Sequence, residues 1–338
     1  MVVPCLTSRK ESISNPMCRK EALQYSLGAF LYTPASNTAV ADRILSHYWP
    51  QLTSLSLCLE DSIQETGLHQ AEEQLKKTLH ILYSAKASSL PFIFVRVRNP
   101  HHLLHVHSLI AEYEDVLTGF IFPKFDLSNG EKYLSVLQSI NDHRSKTLYG
   151  MPILESQQIA SVLSRNESLG AIRALLDRYA DLVLNVRVGG NDFCNLYGLR
   201  RKVNQSIYDL GLVRDILIDI LNVFADSYVV SGPVWEYFGD DENAPWAIGL
   251  NKELELDRAN GFMGKTCIHP SQISLINRSM KVSREDYEDA QQILGWDDNA
   301  LGVAGSHSGN RMNEVRCHGR WARMILCRAE AFGIDEEK

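Results

Sequence analysis

Short apolar runs alternate along the chain with longer segments in which apolar residues recur every three or four positions. The runs predict buried strands and the longer segments amphipathic helices. Strands are expected at residues 27–32, 55–59, 92–97, 119–123, 148–154, 182–188, 228–230 and 265–268. Helices are expected at 39–49, 68–85, 102–113, 205–224 and 246–259, and in two pieces over 157–179. In the second of these, Leu75, Leu79 and Leu82 fall on one face. The repeated strand-then-helix rhythm predicts an α/β fold, a TIM (β/α)8 barrel, with a doubly wound open sheet as the alternative. Two more helices are expected over about 283–332, around a turn rich in Gly and Ser at 302–310. The simplest division is an N-terminal arm (1–24), a barrel carrying the active site (25–280) and a C-terminal helical extension (281–338) at a subunit interface.

The residues that close the strands are polar. The second strand runs into Glu60 and Asp61, the third carries Arg96 and leads to Asn99, and Lys124 follows the fourth. The fifth stops on Glu155, the sixth leads to Asp192, and the eighth ends at His269. In a barrel these ends converge on one mouth. Carboxylates from two neighbouring parallel strands suit a hard divalent cation such as Mg²⁺. Taken alone, Glu155 and Asp192 read more readily as N-caps of the helices that follow them. Arg96 and Lys124 suit the negative groups of a small acid, since the arginine fork donates two parallel hydrogen bonds to a carboxylate. An ion pair between Arg96 and Asp61 accounts for the same arginine.

Composition narrows the classes. The 338 residues are 45% hydrophobic and 22% charged, as in a water-soluble globular protein. A net charge of −7 gives no general attraction to nucleic acid or anionic membrane. The seven cysteines are scattered with no CxxC pair, which fits a reducing compartment. No secretory leader and no bilayer-spanning run is visible, so a cytoplasmic location is expected.

Six segments carry a resemblance. Leu57-Cys-Leu-Glu-Asp-Ser-Ile63 resembles the "LDLEDAV" strand of the citrate lyase β-subunit and HpcH/HpaI aldolase family. Val95-Arg-Val97 is similar to its "VRVN", and Gly119-Phe-Ile-Phe-Pro-Lys124 to "GIMLPK". Pro152-Ile-Leu-Glu155 resembles "ALIET", and Gly189-Gly-Asn-Asp-Phe193 stands where that family has "GAEDL". Residues 261–273 are similar to "GFDGKWAIHPSQI", the longest of the six. The motifs come in family order over residues 27–280.

The resemblance implies a TIM barrel with Mg²⁺, or Mn²⁺ in its place, on Glu155 and Asp192. It implies a carbon–carbon lyase or aldolase acting on a small keto or hydroxy acid, or its CoA thioester, through a metal-stabilised enolate. Arg96 would bind the substrate's carboxylate or carbonyl, while Glu60 and Asp61 hold Arg96 or metal-bound water. Lys124 would act electrostatically, and Asn99, Gly190 and Pro233 would contact substrate. A homo-oligomer is expected, with no nucleic acid or membrane partner.

Three departures qualify the expectation. The first strand ends in Pro34-Ala-Ser-Asn37, where the family usually has an arginine. Asn191 replaces an acid before Asp192. The C-terminal turn Ser308-Gly-Asn-Arg-Met-Asn-Glu314 has no aspartate where many members place one, leaving Ser308, Asn310 or Glu314 as substitutes. A catalytically silent metabolite-binding barrel, or a subunit of a larger complex, is therefore the alternative. His101, His102, His105 and His107 read as a solvated helix start rather than a metal site, and Trp235, Tyr237 and Phe238 as a lining of the mouth.

Overall fold

The computed structural model describes residues 19–142, 144–296 and 302–335. Most of the N-terminal arm, with Cys5 and Cys18, lies outside the described residues. Eight parallel strands run in chain order: β1 (Ala29–Pro34), β2 (Ser54–Cys58), β3 (Phe92–Arg96), β4 (Leu117–Phe122), β5 (Tyr149–Leu154), β6 (Val186–Val188), β7 (Val230–Ser231) and β8 (Lys265–Cys267). Each pairs with its sequence neighbour, β8 pairs with β1, and a bridge between Gly232 and Lys265 closes the ring. This is the predicted TIM barrel. The open-sheet alternative fails because both edges find each other.

Helices cover the outside: α1 (Arg19–Ser26), α2 (Val40–Leu45), α3 (Leu68–Ala85), α4 (Pro100–Ile110), α5 (Gly130–Asn141), α6 (Gln157–Ala160), α7 (Arg165–Arg178), α8 (Gly190–Leu196), α9 (Gly211–Phe224), α10 (Pro245–Asn260), α11 (Gln272–Ser279), α12 (Arg284–Leu294) and α13 (Val315–Phe332). Three of these are absent from the sequence expectation, α5, α8 and α11. In α5 the buried residues Tyr133, Leu134, Leu137 and Ile140 do recur at helical spacing, behind an Asp-Leu-Ser-Asn turn that reads as loop. Part of the expected arm is also helical. α1 closes one end of the barrel, where Leu23 packs with the barrel-interior residues Phe30, Phe94, Met151 and Leu184.

Strand alternation separates two cores. On β5, Met151 and Ile153 face the barrel interior, while Leu154 joins the outer core under the helices. The next inward position is Glu155, at the rim. β6 is shorter than its apolar run predicts. Its pairing with β5 slips by one residue between Gly150–Val183 and Ile153–Arg187, so the strand bulges there.

Between β8 and α10 lies a buried charged network. Arg201 is 2% exposed and Lys265 is fully buried. Glu253 takes Arg201 at 2.6 Å and Lys265 at 2.8 Å, and Asp257 takes Lys265 at 2.7 Å. Removing one member of such a set leaves uncompensated buried charge, at a cost of about 3–5 kcal/mol. Glu253→Ala is therefore expected to lower the unfolding free energy by about that amount in urea denaturation. A loss under about 1 kcal/mol would show that water relaxes the network.

Candidate active site

Glu155 is the deepest acid of the rim, at 6% exposure. Its Oε1 accepts the backbone N–H of Lys124 at 2.7 Å and lies 3.7 Å from Arg96 Nη2. That N–H is aimed by unusual backbone: Lys124 has φ of 49°, in the left-handed region that residues other than glycine rarely occupy. On the other side, a Cβ added to Gly189 would fall 2.3 Å from Glu155 Oε2 and 3.0 Å from Asp192 Oδ2. Both carboxylates thus close on the space that the missing side chain leaves. Burial pushes the Glu155 carboxyl up to about 8, Asp192 and Glu60 add to the rise, and Arg96 and the Lys124 N–H oppose it.

Arg96 gathers the remaining acids. Its Nη2 meets Glu60 at 2.7 Å and Asp61 at 2.9 Å. Lys124 Nζ bridges the same pair, at 2.5 Å from Glu60 and 3.3 Å from Asp61. Burial would raise the Asp61 carboxyl, but Arg96, the Glu60 hydrogen bond and Lys124 outweigh it and hold the group low. The Arg96–Asp61 pair read from the sequence is present, as part of a four-membered cluster beside Glu155. Tyr32 is half-buried under Arg96, whose guanidinium carbon lies 5.9 Å from its ring centre. Burial raises its phenol, against the pull of Arg187 and Arg96, so it stays protonated at neutral pH. A cleft of 690 Å³ opens beside the cluster, lined in part by Glu60, Asp61, Asn99, His101, His105 and Lys124.

The fit of a divalent cation rests on the donor set. Glu155, just past the end of β5, and Asp192, in the first turn of α8 after the adjoining β6, supply hard oxygens, as such an ion requires. Ser156 Oγ and Asn191 Oδ1, each next in sequence to one of them, are buried with no hydrogen-bond partner. Orphaned oxygens of this kind are what a hydrated cation would satisfy. No group of three or more His, Cys, Asp or Glu residues poised for a metal occurs among the described residues. With two carboxylates as ligands, a cation here would leave its other positions to water or substrate.

Other expected positions also take part in packing or capping. Asn99 caps α4, its Oδ1 accepting the His102 N–H at 2.9 Å. A Cβ on Gly190 would come within 2.7 Å of Pro233, so these two residues pack on each other. The histidine run is not wholly solvated: His102 is buried against Glu72 at 2.9 Å, and burial lowers its pKa. Trp235 does not line the mouth. It is fully buried, with its indole N–H donated to the Trp246 carbonyl. Phe238 is 53% exposed and stacks on His269 with ring centres 4.2 Å apart. In the C-terminal turn, Ser308 and Asn310 are tied to Glu285 of α12. Sequence reasoning missed Tyr32, Ser156 and the role of Gly189. Their signals, alternation along β1 and adjacency to the rim acids, were available.

Comparisons with known proteins agree on this architecture. Residues 21–334 match the family model described as C-C bond lyase of the TIM-barrel fold. No curated protein matches the chain. Among solved structures, the chain is similar to a citrate lyase from Burkholderia xenovorans LB400, with TM-score 0.69 at 17% identity over 92% of this chain and 94% of that one. It is also similar to CitE from Mycobacterium tuberculosis in complex with magnesium, acetoacetate and coenzyme A, with TM-score 0.58 at 18% identity over 90% of this chain and 99% of that one. A Haloferax volcanii malate synthase gives TM-score 0.56 at 13% identity over 74% of this chain and 72% of that one. The fold, the rim of acids and the family match over nearly the whole chain agree: the protein belongs to the carbon–carbon bond lyases of the TIM-barrel fold.

Proposed function

We propose that the chain is a Mg²⁺-dependent lyase or aldolase that cleaves or forms a carbon–carbon bond in a small keto or hydroxy acid, free or as its CoA thioester. The observation that carries this reading is the convergence of Glu155 and Asp192 on the space beside Gly189, next to Arg96. Glu155 and Asp192 would hold the cation, which supplies Lewis acidity toward a substrate oxygen. Arg96 presents a fixed, fully ionised donor to a carboxylate or to the oxygen on which charge develops. Glu60 and Asp61 fix its orientation, and Lys124 keeps that pair from repelling incoming acid. No Schiff base is required of Lys124, which is ion-paired and whose protonated form Glu60 and Asp61 stabilise against its partial burial. The solved relatives bound to magnesium, acetoacetate, oxaloacetate or coenzyme A support this choice of ligands.

One observation favours a second reading, a barrel that binds such acids without turnover. Ser308 and Asn310, which stand in the C-terminal turn, are engaged with Glu285 of this chain. Steady turnover of any small acid by the purified protein would dismiss it.

A screen of keto acids, hydroxy acids and acyl-CoA thioesters with Mg²⁺ tests the leading reading. Glu155→Gln and Asp192→Asn are each expected to lower kcat/KM at least about 100-fold, the scale set by loss of one well-placed electrostatic group. Unchanged turnover in both would end the proposal.

The metal-free protein gives a second test. Glu155 titrates near 8 when folded, against an ordinary 4.5, so folding favours its protonated form. That contribution is fully present below about pH 4.5 and is lost as pH rises through about 8. Thermal melts in chelator should show the wild type losing stability relative to Glu155→Gln between about pH 5 and about pH 9. Parallel curves would mean that Glu155 is ionised in the folded, metal-free protein.

A further inference from the structure

β6 carries an arginine into the barrel interior. Arg187 is 1% exposed, and its guanidinium lies 4.4 Å from the centre of the Phe30 ring. Its Nη2 donates to Thr266 Oγ1 at 2.7 Å, Tyr32 stands within hydrogen-bonding reach of the guanidinium, and Nε and Nη1 make no well-aligned hydrogen bond. Among the described residues no carboxylate lies within 4.0 Å of it. The groups that act on its charge are Tyr32, which supports it, and Arg96, which opposes it. Burying a cation without an anion is costly, and burial alone already works against its charged form.

The unmet donors form a group. Arg96 Nε, Ser56 Oγ and both polar side-chain atoms of Asn185 are also buried and unpartnered. Ser56 pairs in register with Tyr32, and Asn185 precedes Arg187 by two residues. Tyr32 stands between the two guanidiniums, 5.9 Å from Arg96 and 5.8 Å from Arg187. Arg187 pairs in register with Ile153, which lies on the same face of β5 as Glu155 and two residues below it. The floor of the mouth therefore holds two cations and several open hydrogen-bonding atoms, and Arg187 has no acid of its own.

We propose that Arg187 is a second anion seat, which takes the remote carboxylate of a dicarboxylic substrate whose reacting end lies at Arg96. A planar guanidinium whose Nε and Nη1 make no well-aligned hydrogen bond, with only the neutral Tyr32 beside it, presents the fork that a carboxylate fills with two parallel hydrogen bonds. Asn185 and Ser56 complete the seat. A ligand anion at this point supplies the charge that the fold withholds, so a dicarboxylate gains over its monocarboxylic counterpart. This inference rests on the reading of the mouth as an acid-binding site.

Calorimetric titration of malate and lactate into the full chain with Mg²⁺ tests it, since the two acids differ mainly by the second carboxylate. The wild type is expected to bind malate at least about tenfold more tightly, the discrimination of one charge-assisted pair. Arg187→Met should bring the two acids within about twofold of each other, and Arg187→Lys should keep a reduced preference for malate. A wild type that binds both acids equally, or neither, overturns the proposal without any variant. Equal weakening of both acids in Arg187→Met also overturns it, since that is the signature of a packing residue. If Arg187→Met does not fold, Asn185→Ala replaces it, and an undiminished malate preference there, together with an unchanged one in Arg187→Lys, overturns the seat. A Mg²⁺ isotherm without acid reports on Glu155 and Asp192 separately. Malate preference without metal binding would remove the metal and leave the seat standing, whereas metal binding without malate preference would remove the seat alone.

Discussion

A carboxyl group that the fold buries beside a second carboxylate governs the mouth of this barrel. Strand alternation leaves no choice about Glu155: Ile153 faces the interior, so Glu155 does too. There it meets one backbone N–H and a guanidinium 3.7 Å away, too little to hold it ionised against burial and Asp192. The left-handed turn at Lys124 and the bare backbone of Gly189 both serve this one group. Backbone strain persists only where its surroundings over-determine it, and here the hydrogen bond to Glu155 does so. A hard cation would turn an unfavourable pair of acids into a ligand set.

Two buried groups of charges show how differently the fold treats its cations. Arg201 and Lys265 are matched by Glu253 and Asp257 on α10, with Tyr208 donating to Asp257 at 2.8 Å. This network joins β8 to α10. Arg187 has no such match, and Arg96 opposes its charge. Paired buried charge is compatible with a structural role, whereas unpaired buried charge beside a ligand site asks for a ligand.

Much of the barrel was legible in the sequence because its strands are short apolar runs closed by polar residues. The seven rim residues from Glu60 to Asp192 were legible for the same reason, each standing at or just beyond a run. Less legible was anything decided by partners far apart in the chain. Nothing in the run Arg200-Arg201-Lys202 shows that Arg201 is buried, since its partner Glu253 lies 52 residues on. Arg187 is held by Thr266, 79 residues away. Trp235 was expected at the mouth because it follows a strand, but its indole N–H finds the Trp246 carbonyl only in the interior. The bulge in β6 is likewise invisible to periodicity, because one extra residue in a parallel strand changes pairing and leaves the apolar run intact.

Anomalous diffraction from crystals grown with Mn²⁺ tests the metal assignment most directly. The predicted result is a single strong peak bounded by the Glu155 and Asp192 carboxylates, within reach of Ser156 and Asn191. A peak at Glu72 and His105 instead, or none along the rim, would contradict it.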